Sequence, residues 1–149
     1  MIAIDLGCAE HGAADSIGYL VERFHPVLLF GFDPLLDQDE VRLVGPTRCV
    51  ISRKAAWTYD GTLQLHRDGT ASRVWEAPNG DTPCFDLATF IHDLPPDDLV
   101  LKLDVEHAEY PLLRHLRKKE MDDRLSLVLV EWHSPERVKL RCPMEEWLM

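Results

Sequence analysis

Short apolar runs separated by polar segments set the basic pattern of this chain, and each run has the length of a β-strand rather than a helix. The runs lie at residues 2–6, 27–32, 48–52, 99–105 and 125–132. The last two are rich in Leu and Val and do not alternate apolar with polar residues. Because continuous apolar strands are typical of parallel sheets buried on both faces, the pattern predicts a mostly parallel sheet.

Segments between these runs have the periodicity of amphipathic helices. Residues 14–24 place apolar side chains on one face, with Asp15 or Ser16 near the start to bind the exposed amides. Residues 86–94 run up to a pair of prolines, which end a helix. Residues 108–119 have acidic residues at the front and basic ones at the back, the order that complements a helix dipole. Strands that alternate with helices predict an α/β domain with right-handed crossovers.

Residues 59–76 differ from the rest, since short alternating runs and the turn-forming pairs Asp60-Gly61 and Asp68-Gly69 replace the helical periodicity. This combination predicts a β-hairpin inserted between the third apolar run and the next helix. The 149 residues have the length of one domain, and no repeat or linker divides them. We therefore expect a single domain over residues 1–149.

Composition and charge narrow the range of partners. The chain has 26 acidic and 16 basic residues, a net charge of -10, which disfavours nonspecific binding to nucleic acid. The basic cluster at Arg114, Arg117, Lys118 and Lys119 falls in the last turn of a predicted helix, where cations complement the dipole.

The cysteines form no CxxC pair, which indicates reduced thiols rather than a zinc or redox motif. No stretch approaches the ~20 apolar residues of a membrane span, and no leader pattern is recognisable, so we expect a cytoplasmic protein with no membrane partner.

Polar residues follow the first two apolar runs, where the carboxyl ends of parallel strands would meet. Asp5 and Gly7 end the first run in a turn, and glycine lets a backbone approach a ligand closely. Asp33 ends the second run in the sequence GFDP, at the distance where doubly wound folds place a ribose-binding carboxylate. It could instead be a helix N-cap, because Pro34 follows it. Neither the dinucleotide fingerprint GxGxxG nor a phosphate-binding loop occurs, which disfavours NAD enzymes and NTPases.

The fourth apolar run ends in a cluster of carboxylates. Asp104 is the most informative of them, because a charge that ends a buried strand is costly unless it is paired or faces a site. Glu106 is a second candidate, whereas Glu109 could simply favour the start of the next helix. His107 and His133 are the favoured general bases, since His titrates nearest neutral pH. His133 could instead donate a hydrogen bond to a neighbouring carbonyl.

A divalent metal is an open alternative at the same strand ends. Asp104, Glu131 and His133 could hold Mg²⁺, which would lower the pKa of an acceptor hydroxyl. Equally, Glu131 could pair with Lys102 on the neighbouring strand. Spacing along the sequence does not choose between these two interpretations.

Several of these segments match one family in its own order and over nearly the whole chain. They are IDLGCAEHG, LLFGFDP, AAWTYDGTLQL with ASRV, CFDLATFI, LKLDVEHAEYPLL and LVLVEWH. On these segments the sequence resembles the FkbM-type S-adenosylmethionine-dependent methyltransferases. The resemblance implies a Rossmann-like class I methyltransferase fold, with a mostly parallel doubly wound sheet, that binds S-adenosyl-L-methionine. It also implies an enzyme that usually methylates an oxygen, here of a small molecule or a sugar.

The resemblance also implies which residues bind the cofactor, namely Asp5, Gly7, Cys8, Asp33, Ala56, Trp57 and Asp104. Asp5 and Gly7 would lie beside the methionine part, with Cys8 in the same turn. Asp33 would hold the ribose, and the segment at residues 55–57 would face the adenine. Asp104 and Glu106 would lie by the transferring methyl group and the acceptor.

The chain departs from the family pattern at two positions. His11 and His107 stand where the family usually has glycine, and Gly12 comes one residue late. We also expect the C-terminal antiparallel hairpin of such methyltransferases to be missing, which would leave an open edge for a homo-oligomer to cover. These departures motivate an alternative function: a noncatalytic S-adenosylmethionine- or nucleotide-binding module, or an assembly partner, with a methyltransferase-like core.

Overall fold

The apolar runs become strands of one sheet in the computed structural model, which describes residues 1–9, 15–67 and 72–133. The strands, in chain order, are β1 (Ile2–Leu6), β2 (Leu28–Phe32), β3 (Glu40–Val44), β4 (Thr47–Ser52), β5 (Ala55–Trp57), β6 (Gly61–His66), β7 (Arg73–Trp75), β8 (Thr82–Asp86), β9 (Leu99–Leu103) and β10 (Leu125–Val130). The helices are α1 (Ser16–Phe24), α2 (Leu87–Asp93) and α3 (Glu109–Lys118), and a 3-10 turn, Asp122–Arg124, precedes β10. Each predicted run and each predicted helix contains an element of the expected type.

The large sheet has six strands in the order β10-β9-β1-β2-β4-β3. β3 is antiparallel to β4, whereas the other neighbours are parallel, so the prediction of a mostly parallel sheet is confirmed. After β1 the chain moves to one side of that strand, and it later returns to the other side at β9. The carboxyl ends of β1 and β9 therefore border the point where the strand order reverses, the place where open α/β sheets bind ligands.

Alternation along β1 divides the core into two layers. Ile2, Ile4 and Leu6 pack into one apolar cluster with residues of α2, α3 and the small second sheet. Ala3 belongs to the opposite cluster, which includes residues of α1, and Asp5 shares that face because side chains alternate along a strand. β1 is thus buried on both faces, as the apolar pattern predicts, and a charged Asp5 near its end needs a partner.

A second sheet of four strands, in the order β5-β8-β6-β7, contains the predicted hairpin. β6 and β7 are antiparallel, which confirms a hairpin between the third predicted strand and α2. The hairpin does not stand alone, because β8 pairs with β6 and β5 pairs with β8. β3, β5 and β8 were not predicted, and the Asp68-Gly69 turn lies outside the described residues.

The helix starts follow from their sequences. Asp15 is the N-cap of α1, since its carboxylate accepts a hydrogen bond from the N–H of Gly18 at 2.8 Å. Ser16, the other candidate cap, instead donates its hydroxyl to Asp5 at 2.5 Å. Asp86 caps α2 by accepting from the N–H of Ala88 at 2.9 Å. Each cap satisfies a backbone donor that has no partner inside its helix.

Two expectations on membranes and on the C-terminus have different outcomes. Among the described residues, no helix is long and apolar enough to cross a membrane. The expected lack of a C-terminal antiparallel hairpin falls on residues 134–149, which lie outside the described part of the chain.

Candidate functional site

A cavity of about 350 Å³ opens at the carboxyl ends of β1, β2 and β9, where the strand order reverses. Its volume lies in the range of small-molecule sites. Apolar side chains form much of its wall, among them Leu6, Phe32, Leu35, Val74 and Val105. Carboxylates and His133 gather at one side, on the ends of β9 and β10. This combination suits a ligand with an apolar body and a charged end.

Gly7 fixes the shape of the turn after β1. Its φ is +85°, a left-handed conformation that favours glycine, and a Cβ here would lie 1.8 Å from the backbone oxygen of Asp104. The N–H of Gly7 donates to the carbonyl of Phe32 at 2.9 Å. The backbones that follow β1 and β9 therefore touch, which is possible only because position 7 has no side chain. Gly7 and Asp104 both line the cavity.

Asp5 lies beneath the cavity rather than in its wall. The side chain is 0% exposed, and the Nζ of Lys102, opposite it on β9, lies 3.1 Å from its Oδ1. The same Nζ donates to the carbonyl of Gly7 at 3.1 Å and lies 3.6 Å from Asp104 Oδ2. Burial raises the pKa of Asp5, while the charge of Lys102 opposes that rise. Lys102 thus connects the buried carboxylate of Asp5 to Asp104 in the cavity wall. The alternative pairing of Lys102 with Glu131 is therefore wrong.

Asp33 lies in the cavity wall and is 5% exposed. Its Oδ2 accepts the N–H of Ala9 at 2.9 Å, and its Oδ1 accepts the N–H of Leu35 at 2.8 Å. No helix begins at Pro34, so the N-cap alternative is wrong, and Asp33 instead closes a short turn of its own. Because each carboxylate oxygen has two lone pairs, both oxygens can still accept a hydrogen bond from a ligand.

The remaining residues that the resemblance assigned to the cofactor divide between wall and core. Ala56 lines the cavity, next to Ala55. Trp57 is outside that wall and buried in the core, where its Nε1 donates to Glu76 at 3.2 Å. Cys8 also lies outside the wall, in the cluster around α1, and burial raises the pKa of its thiol. Cys8 and Trp57 therefore have no direct route to a ligand in this cavity.

His133 is the centre of the acidic side of the site. Its Nδ1 is hydrogen-bonded to Glu109, the fully buried first residue of α3. Its Nε2 lies 3.2 Å from Asp104, 3.3 Å from Glu106 and 3.8 Å from Glu131. Glu109 thus holds the imidazole of His133 in addition to placing a negative charge at the start of α3. The partners of His133 are carboxylates rather than a backbone carbonyl.

These contacts control the protonation of the cluster. Burial alone would lower the pKa of His133, but the hydrogen bond to Glu109 and the charges of Glu109, Glu106 and Asp104 outweigh it and raise that pKa. Burial also raises the pKa of Glu106, although the charge of His133 opposes this effect. The imidazole is therefore held in its charged form to a higher pH than a free histidine.

The turn that carries Glu106 is left-handed. Glu106 has a φ of 22° and His107 has a φ of 71°, and such values are uncommon for residues other than glycine. His107 does not line the cavity, whereas Glu106 does. His11, the other position where the family usually has glycine, lies in residues 10–14, outside the described part of the chain.

A metal could be held at the same strand ends. Asp104, Glu131 and His133 offer ligand atoms that all lie within 4.8 Å of one another. Glu131 is 65% exposed, and its carboxylate and that of Asp104 are the oxygen ligands that Mg²⁺ prefers. An imidazole ligates only when it is neutral, so the raised pKa of His133 works against this ligand near neutral pH.

Sequence reasoning missed the basic side of the cavity. Lys54 and Arg73 line it, on the connection before β5 and at the start of β7. Their contribution depends on the second sheet, which folds against the end of the first. The hairpin pattern predicts part of that sheet, but not where it lies.

Comparison with known proteins gives no relative. No protein-family model matches this sequence, and no curated protein or solved structure matches it significantly. The geometry of the site and the resemblance of its short motifs are therefore what supports a functional proposal.

Proposed function

We propose that the chain is an S-adenosylmethionine-dependent methyltransferase with a Rossmann-like fold, which methylates an oxygen of a small molecule or sugar. The observation that carries the proposal is the cavity at the reversal of strand order. It combines the turn at Gly7, the carboxylate of Asp33 and an acidic side around His133. The motif resemblance expects the cofactor at Gly7, at Asp33 and at Asp104, which belongs to that acidic side.

The lining of this cavity fits the cofactor chemically. Bound S-adenosylmethionine would supply a methyl group on a positively charged sulfur. The carboxylates of Asp104, Glu106 and Glu131 line the acidic side of the cavity, and their negative charge favours a cation there. The oxygens of Asp33 can accept hydrogen bonds from ribose hydroxyls, and Phe32 and Val74 offer apolar surface to a base.

The chain's own task in methyl transfer is to orient the two reactants and to take the acceptor's proton. His133 lines the cavity and can accept that proton only in its neutral form. Because its pKa is raised, the rate should increase with pH through that pKa, above the ordinary value of 6.5. His107 lies outside the cavity wall, so the proposed base is His133.

Calorimetric titration with S-adenosylmethionine and with S-adenosylhomocysteine tests the cofactor. Glu131→Gln should weaken binding of the cationic S-adenosylmethionine more than binding of the uncharged thioether, because Glu131 lines the acidic side. Glu22→Gln, at an exposed position of α1, is the matched control and should change neither. The proposal fails if neither ligand binds at millimolar concentration, or if Glu131→Gln affects both ligands equally.

Magnesium is a secondary part of the proposal. Asp104 and Glu131 would hold the ion, with His133 as a ligand only at a pH where the imidazole is neutral. The ion would lower the pKa of an acceptor hydroxyl. Activity that is lost with a chelator and restored by Mg²⁺ would support this part, whereas activity unchanged by chelation would remove it.

One observation favours the alternative of a noncatalytic binding module. The carboxylates around His133 keep the imidazole charged, and a charged imidazole accepts no proton. A module that binds S-adenosylmethionine without turnover would show cofactor affinity but no methyl transfer at any pH between 6 and 9. Transfer that increases with pH through the pKa of His133 would instead support the enzyme.

A homo-oligomer is also part of the proposal. β3 is an edge strand of the large sheet, and its side chains Val41 and Leu43 are 60% and 71% exposed. An exposed apolar edge favours pairing with a second chain. Light scattering tests this: we expect Leu43→Lys to shift a dimer toward the monomer, and a wild-type monomer at all concentrations would contradict the expectation.

A further inference from the structure

Four basic side chains lie around two neighbouring cavities, although the chain as a whole is acidic. The whole sequence has 26 acidic against 16 basic residues, yet Arg53, Lys54, Arg67 and Arg73 gather around the cavity at the strand ends. Lys54 and Arg73 line that cavity itself, whereas Arg53 and Arg67 line a second one of about 450 Å³. The described lining of the second cavity has two arginines against one aspartate, and such a local excess of positive charge attracts anions.

The fold brings these cations together from two connections. Arg53 and Lys54 are consecutive residues between β4 and β5. Arg67 directly follows β6, and Arg73 opens β7, which pairs antiparallel with β6, so both lie at the same end of one hairpin. Pro34 belongs to the walls of both cavities. The second cavity is therefore the immediate neighbour of the first.

The arginines of the second cavity are available to an outside anion. Within the described ranges, no carboxylate lies within 4.0 Å of the guanidinium of Arg53 or Arg67, whereas Arg42 has Glu40. Arg53 is held through its backbone N–H, which donates to Asp39 at 2.6 Å, so its side chain is not needed for that contact. A single aspartate, Asp81, lies among the described lining residues. The arginines therefore remain in excess.

The geometry points to a phosphate-binding subsite in the second cavity, which holds the acceptor by a phosphate ester group while its hydroxyl reaches the first cavity. This inference rests on the proposed function and names its substrate class: a phosphorylated small molecule, such as a sugar phosphate. A phosphate ester carries a charge of about -1.5 to -2 near neutral pH, which matches two arginines better than a carboxylate does. Arginine also binds phosphate through paired N–H donors of fixed geometry.

Inorganic phosphate is the probe for this subsite, titrated into the chain by calorimetry at constant ionic strength. Arg53→Gln and Arg67→Gln should each weaken phosphate binding roughly tenfold, because each removes a charge-assisted hydrogen bond. Arg117→Gln, at an exposed position in the last turn of α3, is the matched control and should have no effect. Asp81→Asn should tighten binding, because it removes the carboxylate that opposes the anion.

The outcomes separate this inference from the methyltransferase proposal. Equal phosphate affinity in the wild type and in both arginine variants would overturn the subsite, and acetate that binds as tightly as phosphate would overturn its preference for a dianion. S-adenosylhomocysteine should bind the arginine variants as it binds the wild type, since the subsite lies outside the cofactor cavity. Arginine-dependent phosphate binding in a chain that does not bind S-adenosylhomocysteine would support the subsite and remove the methyltransferase proposal.

Discussion

Replacing Lys102 by Met tests how the floor of the site is held together. The ammonium group lies 3.1 Å from Oδ1 of Asp5, which is 0% exposed, and the lysine side chain is itself 15% exposed. It also binds the carbonyl of Gly7 at 3.1 Å. Met has a similar length and no charge, so Lys102→Met keeps much of the apolar packing and removes the cation from a buried carboxylate.

The expected cost follows from this burial. Removing one partner of a buried ion pair typically destabilises a protein by about 3–5 kcal/mol, because the other charge is left without compensation. In the double variant Asp5→Asn/Lys102→Met no charge remains, and we expect a loss of only about 1–2 kcal/mol for the weakened hydrogen bonds. Adding Asp5→Asn to Lys102→Met should thus restore about 2–3 kcal/mol of stability, which additive substitutions would not do.

Urea unfolding followed by circular dichroism measures these differences, with Lys118→Met as the exposed control. The control should stay within about 0.5 kcal/mol of the wild type. Because the pKa of Asp5 is raised by burial, its protonated form is favoured in the folded state, so the stability of Lys102→Met should fall as pH increases from 3.8 through the folded pKa. A loss below about 1 kcal/mol, or strictly additive variants, would refute the reasoning.

Three further predictions concern the turns and the histidine of the site. Gly7→Ala should cost more than Gly45→Ala, because both add about 1–2 kcal/mol of left-handed strain but only position 7 also meets the backbone of Asp104; equal losses in denaturant unfolding would contradict this. His107→Gly should be more stable than His107→Ala by about 0.5–1 kcal/mol, measured in the same way, because both remove the imidazole and only alanine keeps the left-handed strain at φ 71°; equal stabilities of the two variants would contradict this. Since the pKa of His133 is raised above 6.5, its contribution is fully present below 6.5 and is lost as pH increases through the folded pKa; melting temperatures from pH 6 to 9 should show this decrease, and His133→Asn should abolish it.

The sequence predicts the large sheet well because its strands carry their own signal. An apolar run such as Leu99–Leu103 is buried on both faces of the sheet, and its apolar composition alone indicates this burial. The helix starts at Asp15 and Asp86 are equally local, since a cap depends on a side chain and an amide two or three residues later. In both cases the interactions that decide the structure lie within a few residues.

Features that depend on contacts between residues far apart in the sequence could not be predicted from local patterns. The pairing of Asp5 with Lys102 depends on the register of β1 against β9, which no local signal states. β3 and β5 were missed because β3 is an exposed edge and β5 has three residues, too short for any period to emerge. For Asp33, the sequence suggested ribose binding or a helix N-cap. In the structure its carboxylate accepts hydrogen bonds from the backbone amides of Ala9 and Leu35, a role that the sequence did not suggest.

The two sheets divide the charges of the site between them. Asp104 and Glu131 follow strands of the large sheet, whereas Lys54 and Arg73 come from segments of the second sheet and the connection to it. If the cofactor lies between the strand ends of the large sheet and Val74, as we propose, then substitutions of Lys54 and Arg73 should alter which acceptor is used while leaving cofactor affinity unchanged. The second sheet is also the part of the fold that the sequence pattern predicted least well, as expected for a segment whose position is decided by long-range packing. Acceptor specificity should therefore depend on residues such as Arg73 rather than on the strand ends that the motif resemblance emphasises.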